Sequence, residues 1–313
     1  EHSPTDPTKR PFVVIDPRAG HGPGVAGSKV HSEVGLALEK GHACYFVTFA
    51  PYPEPQQSIA DVLKAEKYFL EVVAQRHPPA TCGKPFVVGN CQGGWALFML
   101  ASAAPELVGP IMLAGSPLSY WAGRAGAQNP MRYTGGMLGG SWLSSLASDL
   151  GQGVFDGAYL IDNFENLNPA NTFWAKPYRL FSQIDTEAER YLEFDRWWSA
   201  PFYMTRQEMG WIVQNLFVGN RLSRAVLPDP TTDGLINPRN IRSPIVVFAS
   251  AGDNITPPAQ ALNWILDLYK DEEDLRLHEQ VIVYNIHQST GHLGIFVSAT
   301  VANREHSTLF NVL

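Results

Sequence analysis

Short apolar, β-branched runs alternate with stretches of helical periodicity, and this constrains the chain more than any other feature. Pro11 to Asp16 (PFVVID) reads as a buried strand and is followed by a Gly-rich turn from Pro17 to Gly27. A helical stretch from Ser32 to Lys40 ends at Gly41, and a second strand runs from His42 to Ala50 until Pro51, Pro53 and Pro55 stop it. Ser58 to Gln75 is helical, with Ile59, Val62, Leu63, Tyr68, Leu70 and Val73 near one side. Pro85 to Gly89 is a further strand, Trp95 to Ala104 a helix and Gly109 to Gly115 another strand-like run. The rhythm returns with a strand over Pro244–Ala249, a helix over Pro258–Tyr269, a strand over Val281–His287 and a last helix near Ile295 to His306. Strands and helices in alternation predict an α/β chain whose parallel sheet is covered on both faces.

Composition narrows the function. The 313 residues carry 23 basic and 30 acidic side chains, a formal net charge of −7, with no long Lys/Arg run, which argues against nucleic acid as a partner. Only 17% of residues are charged, below the ~25% usual for soluble domains. Surface facing a partner is therefore expected. The three cysteines, Cys44, Cys82 and Cys91, cannot all pair, and their scarcity reads as a reducing, cytoplasmic compartment. The longest apolar run, Trp95 to Ala104, falls short of the ~20 residues of a transmembrane helix. The chain starts at Glu1 without methionine, so its natural N-terminus is expected to lie elsewhere.

The rhythm breaks between Pro117 and Asn240. This stretch is first glycine-rich (Gly135-Gly136, Gly139-Gly140), then helical and aromatic, and holds Trp121, Trp142, Trp174, Trp197, Trp198 and Trp211. The reading is a core over 11–116 and 241–313 with a cap, or lid, inserted over 117–240. The tryptophans fill the cap's own small core, cover an apolar substrate, or do both. Trp95, Trp121, Trp197 and Trp198 are the candidate substrate-binding aromatics.

Gly89-Asn-Cys91-Gln-Gly93 has the spacing of a nucleophile elbow with cysteine in place of serine, between a strand and a helix. This predicts an α/β-hydrolase fold. Small neighbours allow the tight turn, and the sulfur sits at a helix N-terminus, which favours negative charge. The alternative is a cysteine buried only as a small apolar residue. The backbone N–H of Gln92 becomes one oxyanion donor, and the turn Asp16–Gly22 supplies a second from Arg18, Ala19 or Gly20. The Arg18 side chain suits a substrate carboxylate or phosphate, or equally a structural ion pair, while His21 suits hydrogen bonding within the loop.

The acid and histidine must follow in that order. Asp253 comes just after the strand ending at Ala249, whereas Asp229 and Asp233 follow no expected strand. His287 lies in or at the edge of the last strand, which fits a structural role. His292 lies in the loop beyond it and is the preferred base. Gly22-Pro-Gly24-Val-Ala-Gly27 spells GxGxxG, but it stands five residues past its strand and holds Pro23. No Asp or Glu ends the next strand, so dinucleotide binding is rejected. No His/Cys pair has the spacing of a zinc site.

Gly89-Asn-Cys91-Gln-Gly-Gly-Trp95, Gly252-Asp253 and Gly291-His292 resemble the cysteine box, acid and histidine of polyhydroxyalkanoate synthases. Arg196-Trp-Trp-Ser-Ala-Pro-Phe-Tyr203 through Asn215-Leu-Phe-Val-Gly-Asn-Arg-Leu222 looks like the synthase cap. Closer still, Ile15-Asp-Pro-Arg-Ala-Gly-His-Gly-Pro-Gly24 and Gly252-Asp-Asn-Ile-Thr-Pro-Pro258 resemble a synthase-related bacterial family of unknown function, over nearly the whole chain. Members of that family are longer, so this chain looks like their catalytic region. Asn254 stands where synthases place a histidine, a departure from the synthase pattern.

The resemblance implies acyl transfer through a cysteine thioester on Cys91, with His292 and Asp253 completing the triad. It requires no cofactor, takes a small or polymeric acyl group (acyl-CoA is one candidate substrate), and implies a homodimer through the insert. The alternatives are an esterase or thioesterase of the same fold, and a catalytically silent granule- or lipid-binding protein.

Overall fold

The computed structural model describes residues 5–18, 32–123, 140–298 and 301. In chain order the first half holds β1 (Phe12–Ile15), α1 (Glu33–Glu39), β2 (Cys44–Val47), α2 (Ile59–Arg76), α3 (Pro79–Cys82), β3 (Phe86–Asn90), α4 (Gln92–Ala103) and β4 (Ile111–Ala114). Next come α5 (Trp142–Leu150), β5 (Val154–Asp156), α6 (Ala158–Asn166), α7 (Lys176–Ser182), α8 (Ile184–Trp198), β6 (Tyr203–Thr205) and α9 (Arg206–Ile212). The chain continues through β7 (Leu227–Pro228), β8 (Leu235–Ile236), β9 (Ile245–Ser250), α10 (Pro258–Leu262), α11 (Trp264–Leu268), α12 (Glu272–Leu277), β10 (Ile282–His287) and α13 (His292–Val297).

Among the described residues six strands form one parallel sheet in the order β10-β9-β4-β3-β1-β2. Every residue of β1, β3, β4 and β9 is buried, as continuous apolar runs require when both faces are covered. The strand period of two sorts their side chains into two cores. Val13, Ile15, Val87, Leu113 and Val247 pack with α2 and α4. Phe12, Val14, Val88, Met112 and Phe248 pack on the opposite face with Ala37 of α1 and Ile295 and Phe296 of α13. Each fully buried side chain of this size contributes roughly 1.5–3 kcal/mol, so the sheet is the molecule's rigid frame.

β4 and β9 are neighbours in the sheet, and everything from α5 to β8 lies between them in sequence. That segment is seated on the core. The Tyr203 amide donates to Pro51 O at 2.8 Å and the Thr205 hydroxyl to Gln57 O at 2.6 Å. Thr205 and Glu208 form a reciprocal capping box at the start of α9. Met204, Met209, Ile212 and Leu216 then join the cluster that contains Trp95.

Most element ends lie within a few residues of the expected ones, with three informative differences. The helix expected over Pro258–Tyr269 breaks into α10 and α11 at Asn263, whose carbonyl accepts from both Leu266 and Asp267 while its side chain bonds Asp267 Oδ1. α4 begins at Gln92 rather than Trp95, so Cys91 alone separates it from β3. The last helix begins at His292, capped by the extended Gly291, rather than near Ile295. The Gly22–Gly27 motif, the Gly135-Gly136 pair and the chain beyond Val301 lie outside the described residues.

The β3–α4 turn needs bare backbone at Gly89. A Cβ there would stand 2.5 Å from Gly93 O and 2.6 Å from the Gly94 Cα. Gly89→Ala is expected to destabilise the fold by about 1–3 kcal/mol in urea denaturation. An unchanged midpoint would contradict this packing.

Candidate active site

Cys91 stands between β3 and α4 with φ 50° and ψ −120°, a conformation costing a non-glycine residue roughly 1–3 kcal/mol. Its amide donates to Ala114 O at 2.8 Å, tying the bend to the end of β4. The thiol belongs to the core face built by Val88, Ala114, Phe248, Ile295 and Phe296 and is 5% exposed. Gln92 is the first helical residue, so helix geometry leaves its N–H without an intrahelical acceptor beside the sulfur.

Asp253 and His292 come together. The Nδ1–H of His292 donates to Asp253 Oδ2 at 2.7 Å, and both side chains are buried. The other carboxylate oxygen, Oδ1, accepts the amides of Ile255 and Thr256, each at 2.8 Å. The turn carrying the acid is locked to the loop carrying the histidine. Ser250 Oγ donates to Thr290 O at 2.6 Å, and a Cβ on Gly252 would stand 2.4 Å from Ser289 O. The bond to Asp253 fixes the tautomer and leaves Nε2 as the reactive nitrogen. Nε2 is buried and has no hydrogen-bond partner of ordinary geometry among the described residues. Burial disfavours the imidazolium, yet the nearby Cys91 sulfur and then Asp253 outweigh it, raising His292 to about 10. Cys91 and His292 thus sit within electrostatic reach of each other.

His287 has a different position. Its Nδ1 accepts the amides of Ser289 and Thr290 at 3.2 and 3.0 Å, so it shapes the loop that presents His292. Asp229, unexpectedly, does follow a strand, the two-residue β7, but its Oδ1 accepts from the Thr231 amide and hydroxyl and makes a local turn.

Arg18 is a correction. Its amide already donates to Asp16 Oδ1 at 2.6 Å, so it is not a free oxyanion donor. Its guanidinium pairs with Glu208 of α9 at 2.8 Å and lies 3.8 Å over the Phe49 ring, which leaves a structural ion pair rather than a substrate anchor. Ala19, Gly20 and His21 lie outside the described residues.

The candidate aromatics separate in the same way. Trp198 donates its indole N–H to Glu165 Oε1 at 2.7 Å, and Trp121 to Phe217 O at 2.9 Å. Trp95 is buried beside Trp211, with ring centroids 6.5 Å apart. Trp197 packs against the cluster that holds Cys91.

Three neighbours of the site escape a reading of the sequence. Tyr120 is buried, and burial, reinforced by negative charge at Cys91, holds its hydroxyl well above the usual tyrosine range. Its only sequence signal is its position shortly after β4. Asn90, next to the nucleophile candidate, donates to Glu33 Oε2 at 2.8 Å with both residues buried. Glu66 lies with Asp16, Arg18, Gln92 and Trp95 around a cavity of about 30 Å³. Burial raises Asp16 and Glu66 each to about 7, against the Arg18 amide in the first case and the Arg18 charge in the second. Among the described residues no group of acids, histidines or cysteines could hold a metal, and no helix is long and apolar enough to cross a membrane.

Residues 1–313 match the family described as "Protein of unknown function (DUF3141)". The chain belongs to this family. It is 61% identical over 302 residues to the "Uncharacterized protein in ackA 5'region" of Rhizobium meliloti, covering 96% of this chain and 41% of that protein. The chain thus spans well under half the length of that curated relative. Solved structures similar to it include a monoacylglycerol lipase from Paleococcus ferrophilus, at 14% identity and TM-score 0.53, over 97% of this chain and 95% of the lipase. A carboxylesterase from Nitrososphaera gargenis aligns at 12% identity and TM-score 0.51, over 98% and 91% of the two chains. A bromoperoxidase from Bacillus anthracis aligns at 13% identity and TM-score 0.51, over 98% and 93%. At such identities the likeness establishes the fold: this DUF3141 chain is an α/β hydrolase in architecture.

In this DUF3141 chain Glu33 carries a pH-dependent load. Burial raises it to about 8, with the Asn90 bond pulling the other way, whereas an unfolded glutamate ionises near 4.5. Between those values the unfolded chain has released a proton that the native state retains. The stability it contributes is complete below about pH 4.5 and is lost as pH rises toward 8, at up to about 1.4 kcal/mol per pH unit. Glu33→Gln is expected to flatten this decline, so denaturation midpoints of variant and parent should diverge in the variant's favour from pH 5 to 8. Parallel curves would contradict it.

Proposed function

We propose that this chain catalyses acyl transfer from esters or thioesters through a covalent intermediate on Cys91. The observation that carries the reading is the 2.7 Å bond from His292 Nδ1–H to Asp253 Oδ2, in an imidazole electrostatically coupled to a strained cysteine at a helix N-terminus. In the first step His292 Nε2 takes the thiol proton and the sulfur attacks the acyl carbonyl, forming a C–S bond. The developing oxyanion meets the Gln92 N–H; one such donor is worth roughly 3 kcal/mol in the barrier. The bond to the leaving group breaks, and His292 returns the proton to it. In the second step an acceptor hydroxyl gives its proton to His292 and attacks the thioester, and the thiolate leaves and is reprotonated.

The resemblance of the cysteine box and of Arg196–Leu222 to polyhydroxyalkanoate synthases supports a hydroxyl-bearing acyl chain as acceptor. The segment between β4 and β9 serves as the cap, and the apolar cluster around Cys91 disfavours water. Hydrolysis, with water as acceptor, is the second reading. It is favoured by the ester chemistry named for the lipase and the carboxylesterase of the same fold.

Steady-state assays on a 3-hydroxyacyl thioester and on a p-nitrophenyl ester test the proposal. Cys91→Ala is expected to lose all activity above background, and Asp253→Asn to lower kcat by roughly 10²–10⁴-fold with KM little changed. Oligomeric product supports transfer; free acid alone assigns hydrolysis. Full activity in Cys91→Ala would overturn both.

A further inference from the structure

A cavity of about 370 Å³, within the size range of small-molecule sites, opens between α7 and α8 and reaches Val297 of α13, the helix that begins with His292. Its inner wall is apolar. Trp197, which also packs on the Cys91 cluster, meets Phe194, Tyr191 and Leu180 there. The Trp197 indole N–H is buried and has no acceptor among the described residues.

The rim carries charges of both signs. Lys176 and Arg179 lie one turn apart on α7, and Arg190 faces them from α8. Two acids, Glu187 and Glu193, share this rim. Glu187 is spent on Arg190, and Lys176 leans toward Glu165 at 3.6 Å. Arg179 has no side-chain partner among the described residues, which leaves it a guanidinium above an apolar slot.

We propose that this cavity binds an aliphatic chain ending in an anionic oxygen group, a carboxylate or a phosphate. The chain lies along Phe194 and Trp197, and the anion sits at Arg179. Combined with the acyl-transfer reading, on which this step rests, the acyl group delivered to Cys91 carries its charge at the end far from the reacting carbonyl. A neutral chain leaves the guanidinium without a partner and binds less tightly.

Binding is measured without catalysis, by calorimetry on the Cys91→Ala protein, with dodecanoate, dodecyl phosphate and dodecanol below their micelle-forming concentrations. At least one of the two anions is expected to bind about tenfold or more tighter than dodecanol, and their ranking identifies the end group. Arg179→Gln is expected to remove most of that preference while sparing dodecanol, Glu193→Gln to increase it, and added salt to reduce it. Phe194→Ala is expected to weaken all three ligands. Equal affinity for the alcohol and both anions, a preference indifferent to Arg179→Gln, or no binding by folded protein would each overturn the proposal. Because no turnover is read, these outcomes stand apart from the failure of Cys91 chemistry.

Discussion

The backbone bend at Cys91 is the constraint on which the rest depends. A non-glycine residue at φ 50° and ψ −120° persists only where its surroundings over-determine it. Here the surroundings do so from three directions: β3 enters from below, α4 leaves at once over bare glycine backbone, and Ala114 O holds the amide from the neighbouring strand. The bend lifts the sulfur off the end of β3 toward the helix that begins with His292. Without it Cys91 would be one more buried thiol, as Cys82 is.

The electrostatics follow from that placement. Burial alone would favour the neutral imidazole of His292, and the Cys91 sulfur and the Asp253 carboxylate beside the ring pull the other way and prevail. Asp253 is itself held by two backbone amides as well as by the imidazole. Around this pair burial favours the protonated forms of Tyr120 and Glu33.

Much of the fold was legible because buried parallel strands are written as unbroken apolar runs and each helix follows in period. Cys91, Asp253 and His292 were legible for a related reason: each follows a strand at the same edge of the sheet, where short turns leave little freedom. Contacts between distant segments were not legible. Nothing local tells Arg18 that its partner is Glu208, and only the fold reveals that its amide is already taken by Asp16. The separation of Trp197 from Trp198 was equally hidden, since adjacent residues on a helix point different ways. The interruption at Asn263 depends on a side-chain bond that helical periodicity does not register.

The segment between β4 and β9 joins the two halves of the picture. It shares a core with Trp95 and reaches the Cys91 cluster through Trp197, while Phe173, Trp174, Tyr178 and Phe181 remain exposed on its outside. The most direct test of Cys91 as nucleophile is intact-mass spectrometry of protein quenched in acid during the first turnovers of a p-nitrophenyl acyl ester. A mass gain of one acyl group is expected, mapped to the peptide containing Cys91 and absent from Cys91→Ala. Turnover without any adduct, or an adduct on another residue, would contradict it.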